Sequence, residues 1–199
     1  MLKIGITGGI GSGKTTICKV FEVLGVPVFY ADTAAKFAMI NDPVLVEGVK
    51  RTFGHESYHP DGKLNNAHIA AIVFNQQTEL DKLNALVHPA VFKAFEHWVS
   101  TKSTPYVLKE AALLFESGSY LQCDKNILVT SPLALRIDRV MKRDNVSEAQ
   151  VKARMDKQFT DEQKAKMADY FISNTPVDSI ILQVLNLHDK FSEEIENRQ

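Results

Sequence analysis

Gly8-Gly9-Ile10-Gly11-Ser12-Gly13-Lys14-Thr15 matches the pattern G-x-x-x-x-G-K-[ST] at every fixed position. It constrains the fold because of what flanks it. Leu2, Ile4 and Ile6 predict a short apolar strand that stops at the glycines, and Ile17, Val20, Phe21 and Leu24 recur at helical spacing behind them. Gly25 marks a helix stop, and residues 26–30 predict a second buried strand. Strand, glycine loop, helix, strand is a βαβ unit, and such units build parallel sheets.

The chemistry of the octapeptide follows from its residue types. Glycines let the backbone curl so that several N–H groups meet one anion without a Cβ in the way. A helix beginning at Lys14 adds its positive end. Lys14 is placed to reach the β- and γ-phosphates of a nucleotide and the Thr15 hydroxyl to ligate Mg²⁺, while the backbone N–H groups from Gly11 to Thr16 hold the phosphates. A dinucleotide-binding G-x-G-x-x-G is excluded, because Lys14 stands where its last glycine belongs.

Along the rest of the chain, residues 33–100 read as mostly helical, with breaks near Pro43, across residues 54–63 and at Pro89. Strands are predicted over 106–109, 126–130 and 170–172, and a helix over 132–143. Ser147 with Gln150 and Thr160 with Gln163 are capping boxes that open helices, and a last helix is expected from Pro176. The sum is an α/β fold: about five parallel strands with helices on both faces, in one domain built around the phosphate loop. Two helical insertions are expected on it, one at about 33–100 for an acceptor and a lid at about 136–165.

The net charge of −1 excludes a whole-surface attraction to nucleic acid or to an anionic membrane. The two cysteines, Cys18 and Cys123, form no CxxC pair and no disulfide framework. No export signal precedes the first strand and no apolar run is long enough to span a bilayer, so a cytoplasmic protein is expected.

A phosphate loop alone names a nucleotide, not a reaction. A GTPase switch should carry D-x-x-G and N-K-x-D, and neither occurs. A mechanical ATPase should show four apolar residues before a strand acid; Tyr106-Val107-Leu108-Lys109-Glu110 is interrupted by its lysine. A small-molecule kinase fits better. Asp32, at the end of the second strand, is placed either to accept a proton from an attacking hydroxyl or to cap the helix that follows. Arg136, Arg139 and Arg143 share one helical face, which is either a solvated surface or part of a lid closing on the transferred phosphate.

Several strings together resemble the dephospho-coenzyme A kinase family over nearly the whole chain. They are Thr7 to Lys14, Tyr30-Ala31-Asp32, Asp61-Gly62-Lys63-Leu64-Asn65, Leu86-Val87-His88-Pro89, Leu113-Leu114-Phe115-Glu116 and Arg139 to Asp144. Arg154, Gln158, Ala168-Asp169, Ile172 and Asn174 continue the series. The resemblance implies transfer of the γ-phosphate of ATP to the ribose 3′-hydroxyl of dephospho-coenzyme A, with Mg²⁺. Another small-molecule kinase, or a non-enzymatic nucleotide switch, are the alternatives. By resemblance Asp32 is the base, Lys14 and Arg139 act on the phosphate, and Gly9, Gly11, Ser12, Gly13, Thr15 and Thr16 surround it. Asn174 would lie near the adenine, and Thr7, His88, Leu113 and Phe115 near the acceptor. Three positions depart from the family: Tyr30 replaces an aspartate, Ala112 a proline, and Asn66 an arginine. The Ala112 change is expected to loosen its loop.

Overall fold

The computed structural model describes residues 1–74 and 76–197. Its sheet comprises β1 (Leu2–Thr7), β2 (Val28–Tyr30), β3 (Tyr106–Glu110), β4 (Lys125–Thr130) and β5 (Tyr170–Ser173). The strands lie in the order β2-β3-β1-β4-β5 and every pairing is parallel. Parallel sheets bury both faces, and all five residues of β3 are buried. The crossovers from β1 and β3 leave in opposite directions, so the chain reverses at the centre of the sheet, beside the glycine loop.

Helix α1 (Lys14–Val23) covers one face. Leu2, Ile4 and Ile6 of β1 pack there with Tyr106 and Leu108 of β3, against Ile17, Cys18 and Phe21 of α1 and Val184 and Phe191 of α9 (Ile180–Glu196). The predicted stop at Gly25 is present. Val26 N–H donates to Phe21 O and Gly25 N–H to Glu22 O, with Gly25 at φ 82°. That closure occupies Val26, which is why β2 begins at Val28 and not at 26. The last helix also starts later than expected, at Ile180, because Ser179 accepts from Leu182 N–H and caps it there. Residues 173–178 form a turn in which Ser173 and Thr175 both donate to Asp178.

After β4 come α6 (Leu133–Asp144), α7 (Glu148–Met155) and α8 (Asp161–Ala165). Both capping boxes form with reciprocal bonds. Ile137 and Val140 of α6 pack on Val151 of α7, and Ile10 of the glycine loop joins this small cluster.

The chain divides into two compact units, and the sheet with these helices makes up the first, residues 1–30 and 101–199. Residues 31–100 are the second. It consists of α2 (Ala31–Asn41), α3 (Pro43–Phe53), α4 (Asn66–Val73) and α5 (Gln77–Ser100), with α5 packed against the other three. Asp42 caps α3 by accepting from Val44 and Leu45 N–H, with Pro43 in the first turn. The break expected at Pro89 is absent. Helix α5 runs through it, and buried Val87, Val91, Phe95 and Val99 line one side. Pro89 costs a backbone bond to Ala85, and burial of that stripe outweighs the loss. Among the described residues no helix is long and apolar enough to cross a membrane.

Candidate active site

The glycine loop joins β1 to α1 and is held from outside by side chains. Lys14 Nζ donates to Gly8 O at 2.9 Å, Arg136 Nε to Ile10 O at 3.0 Å, Arg139 Nη1 to Gly11 O at 3.3 Å and Asn174 Nδ2 to Ser12 O at 2.8 Å. Gly9 O accepts from Ser12 N–H at 3.1 Å. Five successive carbonyls are therefore satisfied. In a trans peptide the next residue's N–H points opposite to the carbonyl. The N–H groups of Gly11 and Gly13 consequently turn away from Arg136 and Asn174, which bind the carbonyls before them, and that is the polarity an anion requires.

Two glycines are dictated by this packing. Gly13 precedes α1 at φ 92°, and a Cβ there would occupy the place of Asn174 Nδ2. A Cβ on Gly9 would run into the Arg136 guanidinium. With glycine at the cap position no side chain closes the first turn of α1, whose positive end faces outward. Thr15 and Thr16 are exposed on that turn, whereas Lys14 is buried. Ser12 N–H and Thr16 N–H are already bonded, the latter to Gly13 O at 3.1 Å.

The three arginines of the shared α6 face separate. Arg136 is buried and also pairs with Asp161 at 2.8 Å. Arg139 reaches Ser131 Oγ at 3.2 Å and Asn174 Oδ1 at 3.4 Å besides Gly11 O, so it borders the loop. Arg143 instead pairs with neighbouring Asp144, as does Arg154 of α7. Hydrogen bonding from Arg143 holds the Asp144 carboxyl down at about 2. Asn174, expected beside an adenine, is bonded to Ser12 O and to Arg139.

Glu110 was concealed in the sequence by Lys109. Along β3 the side chains alternate: Tyr106 and Leu108 face α1, and Glu110 follows on their side. Lys109 lies on the other face, fully buried, donating to Gln122 Oε1 at 2.6 Å. Glu110 pairs in register with Ile6 of β1 and Tyr30 of β2, at the carboxyl end of the sheet. Burial pushes the Cys18 thiol up, and the Glu110 charge adds to it while Lys14 opposes it. A buried carboxylate thus shares the neighbourhood of Lys14. Tyr30, in place of the family's aspartate, donates its hydroxyl to Glu22 at 3.1 Å.

The loop after β3 is fastened, contrary to the loosening expected from Ala112. Ala112 O accepts from Gln158 Nε2 at 3.3 Å, and Thr7 Oγ1 and Lys164 Nζ each approach it at 3.5 Å. Lys164 is fully buried and pairs with Glu116 at 3.0 Å. Leu113 is exposed on this loop, while Phe115 is buried against Tyr120. Of these two, Leu113 is the accessible one.

In the second unit Asp32 is exposed on the first turn of α2, one residue inside the helix start. Its carboxylate makes no hydrogen bond or ion pair among the described residues, so it is not serving as a cap. His88 is half-buried on α5 and stacks on Phe92, ring centroids 6.1 Å apart. Asn65 caps α4 by accepting from His68 N–H, and Asn66 begins that helix.

The profile of the dephospho-CoA kinase family matches residues 2–178. A dephospho-CoA kinase of Salinibacter ruber is 41% identical over 177 residues, covering 87% of this chain and 89% of that one. One from Bacteroides fragilis is 37% identical over 187 residues, covering 94% and 91%. The solved dephospho-CoA kinase of Campylobacter jejuni superposes with a TM-score of 0.69 at 26% identity, covering 96% of this chain and 98% of that one. The fold, the built phosphate loop and the match over most of its length agree: this chain belongs to the dephospho-CoA kinase family.

Proposed function

We propose that this protein transfers the γ-phosphate of ATP to the ribose 3′-hydroxyl of dephospho-coenzyme A, giving coenzyme A and ADP. The observation that carries the nucleotide half is the set of five bonded carbonyls, which presents N–H groups to an anion before any arrives. Such preorganisation costs nothing at the moment of reaction. Lys14 moves its ammonium from Gly8 O to the β- and γ-phosphates, and Arg139 offers a guanidinium beside them.

The residues present fit a Mg²⁺ ion that arrives with the nucleotide. Among the described residues no group of three or more His, Cys, Asp or Glu makes a metal cage by itself. Mg²⁺ in such enzymes uses one or two protein oxygens plus substrate phosphates. Thr15 Oγ1, exposed at the start of α1, and the Glu110 carboxylate would supply them. Bound there, Mg²⁺ would neutralise charge on the β- and γ-phosphates.

Asp32 accepts the proton of the 3′-hydroxyl as its oxygen bonds to the γ-phosphorus, and the bridging oxygen leaves with ADP. Among the described residues its carboxylate has no partner, which leaves both oxygens available for this. Leu113, Thr7, His88 and Phe115 are assigned to the acceptor by resemblance to the family; of these Leu113 is exposed, and Thr7 and Phe115 are buried. ATP consumption of this kind fits the cytoplasmic location expected from the sequence.

The test is ADP release with dephospho-coenzyme A, shikimate and nucleoside monophosphates as acceptors, with the product phosphate located by NMR. Turnover confined to dephospho-coenzyme A with phosphate on the 3′-oxygen is the expected result. Faster turnover with another acceptor overturns the assignment.

A further inference from the structure

Gln158 lies between α7 and α8 and bonds at both ends of its amide. Its Oε1 accepts from Ile10 N–H of the phosphate loop at 2.9 Å, and its Nε2 donates to Ala112 O, in the loop after β3, at 3.3 Å. Chemistry fixes the orientation: a backbone N–H can only donate and a carbonyl can only accept. The two ends of an amide satisfy both, which a carboxylate cannot. The backbone around it is already immobilised. Gln158 N–H donates to Met155 O, Phe159 N–H donates to Glu116 Oε1 at 2.8 Å, and Lys164 holds both Glu116 and Ala112 O. The bridge therefore orders only the Gln158 side chain, its backbone being held already.

We propose that Gln158 is a positioning residue that sets the two substrate loops separately, its oxygen the ATP side through Ile10 and its nitrogen the acceptor side through Ala112. The departure at Ala112 gives the nitrogen its importance. A proline would restrict this loop through its own ring, whereas here the restriction comes from donors converging on the Ala112 carbonyl. Ala112 N–H makes no hydrogen bond among the described residues, so proline can be placed there without losing one.

The inference rests on the proposed function, specifically on Leu113 meeting the acceptor. Its test is steady-state kinetics in both substrates. Gln158→Glu keeps the acceptor for Ile10 N–H and loses the donor to Ala112 O. It is expected to leave the KM for ATP within about twofold and raise the KM for dephospho-coenzyme A about tenfold. Gln158→Leu loses both ends and raises both values about tenfold. Adding Ala112→Pro to Gln158→Glu returns the acceptor KM to within about threefold of the unaltered enzyme. The Gln158→Glu pair of values decides the matter even if the leucine variant does not fold. Equal movement of both KM values, or movement of neither, overturns the assignment. An unaltered enzyme that does not turn over dephospho-coenzyme A refutes the proposed function instead.

Discussion

Lys164→Met tests how much the loop after β3 depends on a buried charge pair. The Lys164 side chain is 0% exposed and its partner Glu116 13%, with Nζ 3.0 Å from Oε1. By contrast the Lys142–Asp138 pair on α6 is 76% and 52% exposed, and such pairs contribute about 0.3–0.5 kcal/mol. Among the described residues, removing the lysine leaves a carboxylate whose Oε1 keeps only Phe159 N–H and whose Oε2 is buried without a partner. Breaking one side of such a pair costs about 3–5 kcal/mol. For a chain of this length that lowers Tm by roughly 6–20 °C. Lys142→Met, the surface control, should shift it by less than about 2 °C. Replacing both partners, Lys164→Met with Glu116→Leu, removes the stranded charge and should recover most of the loss. Thermal unfolding followed by circular dichroism reads all three. A drop below about 3 °C for Lys164→Met, or a double variant no more stable than the single, would refute the reasoning.

Asp32→Asn should lower kcat by about 10²–10⁴-fold with ATP affinity unchanged by calorimetry, because the exposed carboxylate makes no hydrogen bond or ion pair among the described residues. A lower Tm with the rate intact would make Asp32 a structural residue. Gly13→Ala places a Cβ at φ 92° in the space of Asn174 Nδ2 and should weaken ATP binding by at least about tenfold; a Kd within about twofold would contradict the packing argument. Asp144 is held from 3.8 down to about 2 by its hydrogen bonds from Arg143 and Arg154. A carboxyl lowered on folding stabilises the protein above its unfolded pKa and loses that contribution as pH falls through the folded one. The Tm advantage over Asp144→Asn should thus be full above about pH 4 and vanish near pH 2. A difference that does not change with pH would rule out the pairing.

What the sequence determined by itself is everything encoded within one turn or one strand. The phosphate loop, the stop at Gly25 and the two capping boxes are sets of residues a few positions apart, and local geometry alone specifies them. Order and spacing of short strings also sufficed to reach the family. Tertiary structure decided whatever depends on residues far apart in the chain. Helix α5 passes through Pro89 because a buried stripe holds it, although the residue itself signals a break. Three arginines with equal claims on one helical face divided according to what lay opposite: the phosphate loop for Arg136 and Arg139, Asp144 for Arg143. Glu110 became legible only when the alternation of β3 put Lys109 on the other face. The octapeptide that specified an anion site could not specify what holds it open. Apart from Lys14, those are side chains of Arg136, Arg139, Gln158 and Asn174, more than a hundred residues away, brought to the loop's outer side by the order of the strands.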